Sequence, residues 1–364
     1  MNYREITLRE AIHFKNGKKR PTSEGNIPVY GGNGVLGYAG ELNYEHCIII
    51  GRVGAYCGSV YLEEGKCWVS DNAIAAVPSG DNDTKFFYYL LKGLHLNERH
   101  IGTSQPLLTQ EILNKINCEV PSYPDQQRIA ELLSSLDRKI NVNRKLNDNL
   151  YEMVNAYYTS LFKDVECEMT TIGNYAERIY SGGTPTTSNA AYWGGAFGWF
   201  SSGETRNRFV ISTEKSITQT GIDNSSTKLA AKHDIVMASA GQGFTRGQTS
   251  MLLIDTYVNQ SVIVIHADRK ILPYLFWNLA NRYEELRAIS DSSSIRGSLT
   301  TKMIAAFEVP LANNDVIQTF SDFAWAVIPQ IENNLLENER LAALRDSLLP
   351  KLMSGEIDVS AVQL

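Results

Sequence analysis

The sequence predicts a mixed α+β protein: two similar globular domains, related by an approximate twofold, separated by an antiparallel coiled coil of two long helices. Three observations predict it. The chain repeats itself at an offset of about 189 residues, so that Val120-Pro121 in NKINCEVPSYP returns as Val309-Pro310 in IAAFEVPLAN. Behind each Val-Pro stands a stretch of about forty residues whose apolar side chains follow 4,3 spacing, the narrow stripe of a coiled coil rather than the broad face of a globular helix. The length, 364 residues, suits two domains of ordinary size.

Taken in order, the repeated elements are short apolar runs bounded by turn residues. TLREAIHFKNGKK (7–19) pairs with TIGNYAERIYSGGTP (171–185), IIIGRVGAYCG (48–58) with IVMASAGQGFTRG (235–247), and VSDNAIAAV (69–77) with YVNQSVIVI (257–265). FFYYLLKG (86–93) then matches YLFWNLAN (274–281), and GTSQPLLTQEI (102–112) matches SSSIRGSLTTKM (292–303). The first of these pairs has a shorter offset, so the second copy carries about twenty extra residues around NAAYWGGAFGWFSSGETRNRF (189–209).

The helical stretches are 125–162 and 315–353. Ser122, Pro124 and Asp125 favour a helix start, and Gly355 is a natural stop. In the first stretch Ile129, Leu133, Leu136, Ile140, Leu150 and Val154 form the pairing stripe; in the second, Val327, Leu341, Leu344 and Leu348 do. Asn143, Asn147 and Asn334 interrupt the seams, where facing polar residues would set the register. Pro329 is expected to kink or restart the second helix. An isolated rod with one apolar stripe is unstable, so each stripe requires a partner, and the other copy is the simplest. The expected domains are 1–124, 125–163, 164–313 and 314–364.

Several function classes are excluded. Gly32-Asn33-Gly34-Val35-Leu36-Gly37 has the G-x-G-x-x-G spacing of a dinucleotide turn. It is followed by turn residues and a β-branched run, with no helix whose N-terminus could hold phosphate. A glycine-rich loop between strands is the expectation. The chain has no G-x-S-x-G, no H-E-x-x-H and no phosphate-binding loop, so no catalytic residue is assigned. Five cysteines without a C-x-x-C pair and six scattered histidines give no metal site. No apolar run is long enough to span a membrane, and the charged N-terminus lacks a signal segment; a cytoplasmic protein without membrane contact is expected. The net charge of −6 argues against a nucleic-acid binder unless positive charge is local or supplied by a partner.

The motifs resemble the specificity subunit of Type I restriction-modification systems. The resemblance is carried by 181–204 with 224–249 and YVNQSVIVI, by IPVYGGNGVLGY with IIIGRVGAYCGSV and VSDNAIAAV, by 102–140, and by LRDSLLPKLMSGEIDV (344–359). It implies two target-recognition domains, at 1–124 and 164–313, each reading half of a split site in double-stranded DNA. It also implies two conserved spacer helices that set the gap and dock two methyltransferase (M) subunits, with an endonuclease/translocase (R) subunit joining for cleavage. No cofactor is implied on this chain; S-adenosylmethionine belongs to the methyltransferase partner. A coiled-coil adaptor that binds only proteins is the alternative.

Contacts to DNA combine cations for phosphate with amides, hydroxyls and arginine for base edges. In the first domain Lys15, Lys18, Lys19 and Arg20 form the densest basic loop, and Asn33, Tyr38, Arg52, Ser104 and Gln105 lie in loops paralleled in the second copy. In the second domain Thr184, Thr186, Ser201, Ser202, Arg206, Arg208, Gln242, Thr245, Arg246, Ser294 and Arg296 fit the same criteria. Trp193 and Trp199 fit core packing better than stacking on a displaced base.

Overall fold

The computed structural model describes every residue except 103–104, 163–167, 242–243, 293–296 and 362–364. The chain divides into two compact units, residues 1–141 with 338–364, and residues 142–337.

The first unit is built on a six-stranded sheet. Its strands are β2 (Ile12–Asn16), β3 (Ile27–Gly31), β4 (Gly34–Ala39), β5 (Tyr44–Gly51), β6 (Val60–Val69) and β7 (Ala73–Pro78), in the order β2-β7-β5-β6-β3-β4. All neighbours are antiparallel except β3 and β6, which are parallel. A separate ribbon joins β1 (Arg4–Thr7) to β8 (Asn117–Val120). The second half of β5 is buried on both faces, which is why Ile48-Ile49-Ile50 reads as a continuous apolar run rather than an alternating one. Ile48 and Ile50 meet Phe86, Phe87 and Leu90 of helix α1 (Thr84–Gly93), while Ile49 faces Tyr30, Cys47, Cys67 and Val69. Asp83 starts α1 by accepting the Phe86 N–H at 2.8 Å, and Thr109 starts α2 (Gln110–Asn114) in the same way with Ile112 at 3.3 Å.

The second unit repeats this plan. Its strands are β9 (Met169–Thr171), β10 (Ala176–Ser181), β11 (Trp193–Phe200), β12 (Phe209–Val210), β13 (Lys215–Ile217), β14 (Lys228–Ala230), β15 (Ile235–Ala238), β16 (Thr249–Leu252), β17 (Thr256–Val258), β18 (Val262–Ala267) and β19 (Glu308–Pro310). The main sheet, β10-β18-β15-β16-β12, has three antiparallel junctions and then a parallel one, the same sequence of directions as β2-β7-β5-β6-β3. The β9–β19 ribbon corresponds to β1–β8. Helix α3 (Leu272–Asn281) corresponds to α1, and α4 (Thr301–Ala305), capped by Thr300 on the Met303 N–H at 3.2 Å, corresponds to α2. The extra residues of the second copy supply β11, which anchors a second sheet, β13-β11-β17-β14. Phe200 and Val258 of that sheet pack on Val236, Leu252, Val262 and Val264 of the main one.

The two long helices span Tyr123–Phe162 and Asn314–Met353, within two residues of the expected limits at every end. Neither forms a domain of its own. The unit boundaries fall inside them, because each half buries its stripe in the unit it lies in. In the first unit Ile129 and Leu133 share a core with Leu352, and Arg345 Nη1 bonds Asp137 Oδ1 at 2.5 Å, with the Tyr89 hydroxyl donating to the other carboxylate oxygen at 2.6 Å. In the second unit Val154, Tyr158 and Phe162 meet Phe320, Val327 and Ile331. Contacts move down one helix as they move up the other, from Asn143–Glu337 to Asn147–Asn334 to Tyr157–Phe323, so the pairing within this unit is antiparallel.

Two expectations about these helices need correction. Of the kink or restart expected at Pro329, the restart does not occur: the second helix is continuous across it. Val327, Ile328 and Ile331 around it are buried in the core, and this burial outweighs the hydrogen bond that proline forfeits, a loss of about 3 kcal/mol. Leu344, counted in the stripe, is 46% exposed. The inward face there runs through Arg345, Leu348 and Leu352, and Leu344 lies one residue, about 100°, off that line. Of the other stripe residues, Ile140 is buried, and Leu136, Leu150 and Leu341 are half-buried.

Candidate nucleic-acid interface

In the first unit the glycine-rich stretch is a hairpin turn. Gly32 and Asn33 link β3 to β4, and Gly34 takes φ +78. A strand follows, not a helix, so no phosphate-binding terminus exists there. The Ser59 hydroxyl donates to the Gly32 carbonyl at 2.6 Å and pins this turn beside the one joining β5 to β6. In that second turn the Arg52 N–H donates to the Asn72 carbonyl at 3.0 Å, and the Gly54 N–H donates to the Pro106 carbonyl at 3.1 Å. Three stretches remote in sequence, carrying Asn33, Arg52 and Gln105, therefore gather at one place. Asn33 and Gln105 are exposed, and Arg52 is half-buried. Ser104 lies outside the described residues.

The basic loop is laid along the other side of the hairpin. The Lys18 N–H donates to the Val69 carbonyl at 3.0 Å, and Trp68 Nε1 donates to the Lys18 carbonyl at 3.3 Å. Arg20 lies against Gly37, where an added Cβ would come within 2.6 Å of its Nη2. This places a guanidinium against strand β4. Lys15, Lys18, Lys19, Arg20 and Tyr38 are all exposed. A compact cationic stripe thus exists in a chain of net charge −6, as local phosphate contact requires.

In the second unit the candidates divide. Thr184 bonds Gln260, and Thr186 is exposed with its carbonyl accepting from Trp193 Nε1 at 3.3 Å. Trp193 meets Trp199 edge to face at 5.0 Å, and Trp199 is buried, consistent with packing. Ser201 is occupied as a helix cap, its N–H and hydroxyl both donating to Glu204 Oε1 at 2.8 and 3.1 Å; Ser202 lies in the turn it caps. Arg206 pairs with Glu214. Arg208 lies over the Tyr151 ring at 4.1 Å. Burial pushes the Tyr151 phenol up, and the Arg208 charge opposes the rise. Arg206 and Arg208 line a cavity of about 500 Å³ with Asn147, Gln248 and Tyr283.

Arg246, expected as a surface cation, is 13% exposed, pairs with Asp291 and donates to the Gly297 carbonyl at 2.6 Å. Its charge is neutralised within the unit, which makes it a brace for the turn that also carries half-buried Thr245. Gln242, Ser294 and Arg296 lie outside the described residues. Two exposed aromatic residues in these turns, Tyr56 and Phe244, escaped the sequence criteria, which sought cations and amides. Among the described residues no group of histidine, cysteine, aspartate and glutamate could hold a metal ion, and no helix is long and apolar enough to cross a membrane.

The Methylase_S family, described as the Type I restriction modification DNA specificity domain, matches residues 2–152 and 165–338. The chain belongs to this family. The two matches begin at the two copies of the repeat. Among relatives, the Type I restriction enzyme HindI specificity subunit of Haemophilus influenzae is 19% identical over 330 residues, covering 69% of this chain and 71% of that one. The EcoR124I/EcoR124II specificity subunit of Escherichia coli is 25% identical over 246 residues, covering 64% of this chain and 61% of that one. The crystal structure of the Type I restriction-modification S subunit from M. genitalium superposes with a TM-score of 0.64 at 17% identity, covering 97% of this chain and 96% of that one. At that identity the likeness establishes the shared fold. The general function of the Type I specificity family is recognition of a DNA target, and in the first unit of this member exposed Asn33 and Gln105 and the exposed cations Lys18, Lys19 and Arg20 lie around one hairpin.

Proposed function

We propose that this chain is the non-catalytic DNA-recognition subunit of a Type I restriction-modification complex. Each unit reads one half of a bipartite site in double-stranded DNA, and the paired helices set the gap and dock two methyltransferase subunits. A restriction subunit joins the complex for cleavage, and S-adenosylmethionine is carried by the methyltransferase. The observation that carries this reading is the duplication of one reading device. The turn after β5 and the turn after β15 occupy the same place in the same strand order, and each is flanked by the loop preceding a threonine-capped helix.

Charge and surface fit the same reading. Lys15, Lys18, Lys19 and Arg20 supply phosphate contacts to the first unit, and partners supply the remaining positive charge that a chain of net charge −6 lacks. Val142, Leu146 and Met153 are exposed apolar residues on one face of the first long helix, suited to a protein partner. If both units engage one side of a duplex, the half-sites lie about one helical turn apart, roughly 10–10.5 bp centre to centre.

The test is DNA binding by the complex with its methyltransferase partner, titrated against salt. Affinity that falls linearly on a log–log plot with salt, with preference for one bipartite sequence, is the expected result. A complex that assembles without DNA affinity would instead make the chain a protein-binding adaptor.

A further inference from the structure

Two exposed aromatic rings, one in each unit, stand in corresponding turns of the repeated fold, two and three residues ahead of the turn's closing glycine. Tyr56, in the turn between β5 and β6, is 51% exposed; Phe244, in the turn between β15 and β16, is 83% exposed. The two turns share one construction. Each ends on a left-handed glycine, Gly58 at φ +86 and Gly247 at φ +85. The glycine N–H donates back to the last residue of the preceding strand, Gly51 at 2.8 Å and Ala238 at 2.9 Å. Each turn is also tied sideways by a leucine ahead of the capped helix, Leu108 to the Arg52 carbonyl at 2.9 Å and Leu299 to the Ser239 carbonyl at 2.8 Å.

These ties hold the rings outward on anchored backbone. A Cβ on Gly58 would come within 2.2 Å of the Asn97 nitrogen, so the first turn is packed down on its neighbour. In the second, the Tyr283 hydroxyl donates to the Phe244 carbonyl at 2.7 Å, and the braced Arg246 follows two residues later. Burying an aromatic side chain is worth more than leaving it in water, so rings left half exposed at Tyr56 and four-fifths exposed at Phe244, on anchored turns of both copies, are suited to a partner outside the chain.

We propose that Tyr56 and Phe244 are the residues that enter the base stack of the DNA, one at each half-site. This rests on the reading given under Proposed function. A ring has no room in an intact stack. It gains a base-sized opening where a partner methyltransferase rotates its target base out of the duplex, or where a flexible step is wedged apart. Aromatic stacking on a base is tolerant of sequence. The rings therefore hold the opened duplex, and base discrimination is left to neighbouring amides and cations such as Asn33 and Arg52.

The experiment uses the full chain in complex with its methyltransferase partner and a duplex carrying the mapped site with 2-aminopurine at the methylated adenine. Phe244→Ala and Tyr56→Ala are each expected to weaken specific binding roughly tenfold and to lower the 2-aminopurine signal at their own half-site only. Phe244→Trp restores binding, and its indole fluorescence is quenched on adding DNA. Both alanine variants binding like the parent would overturn the inference while leaving the DNA-recognition reading intact. A parent complex without DNA affinity would remove that reading itself. Loss of co-elution with the methyltransferase in the alanine variants, at unchanged melting temperature, would assign the rings to a protein contact and also overturn the inference.

Discussion

Asn334 Nδ2 donates to Asn147 Oδ1 at 2.7 Å, and Asn147 Nδ2 donates in turn to the Ile331 carbonyl at 3.2 Å. One helical turn away Asn143 donates to Glu337 Oε2 at 2.7 Å. These amides interrupt an otherwise apolar seam, and they meet because their side chains satisfy each other only in one alignment. Replacing Asn147 alone with leucine strands the Asn334 amide and should cost about 1–3 kcal/mol. Replacing both with leucine should recover most of that loss, since a paired polar contact and a packed apolar one are similar in net energy. Thermal melts of the two single variants and the double variant check this. Single variants as stable as the parent would mean that the amides do not act as a pair.

The first unit should be sensitive to alkali through Tyr3. Its hydroxyl donates to the Leu352 carbonyl at 2.6 Å. Burial, then the carboxylates of Asp125, Asp358 and Glu119, push its phenol up to about 12 from an ordinary value of 10. Below pH 10 both the folded and unfolded chains keep the proton, and the contribution to stability is complete. Between about pH 10 and 12 the unfolded chain releases a proton that the folded one retains, so stability falls with rising pH. Urea midpoints of the parent and Tyr3→Phe should converge over that interval after differing at pH 8. Parallel curves would contradict the assignment.

The exposed stripe of Val142, Leu146 and Met153 should act on partners rather than on folding. Glutamate at these positions should change stability by no more than about 0.5 kcal/mol while abolishing co-purification with the methyltransferase. Leu133→Asp is the contrasting case. Leu133 is fully buried in the first unit's core, so an aspartate there should unfold that unit. A stripe variant that still assembles would move the docking surface elsewhere.

Legibility in the sequence followed the range of the forces involved. Repeats, helix limits and strand runs are local patterns, and each was visible from periodicity, caps and glycines. The facing asparagines were also visible, because a polar residue in an apolar stripe announces a partner. What escaped notice depends on distant residues. Pro329 is tolerated because its neighbours are buried, Arg246 is neutralised by an aspartate 45 residues on, and Ser201 is consumed by its own cap. Arg208 lies over a tyrosine from a different part of the chain. Tyr56 and Phe244 were passed over because the criteria sought cations and amides, and the exposure of a ring is set by the fold.

The central claim is that two copies of one reader each recognise their own half of a split site. It is tested most directly by methylation sequencing of a host carrying either the parent chain or one whose residues 1–121 come from another specificity subunit. The account predicts two short, unequal sequence blocks separated by a fixed unspecified gap, with the exchange altering one block and leaving the other block and the gap unchanged. A single continuous site, or an exchange that alters both blocks together, would contradict it.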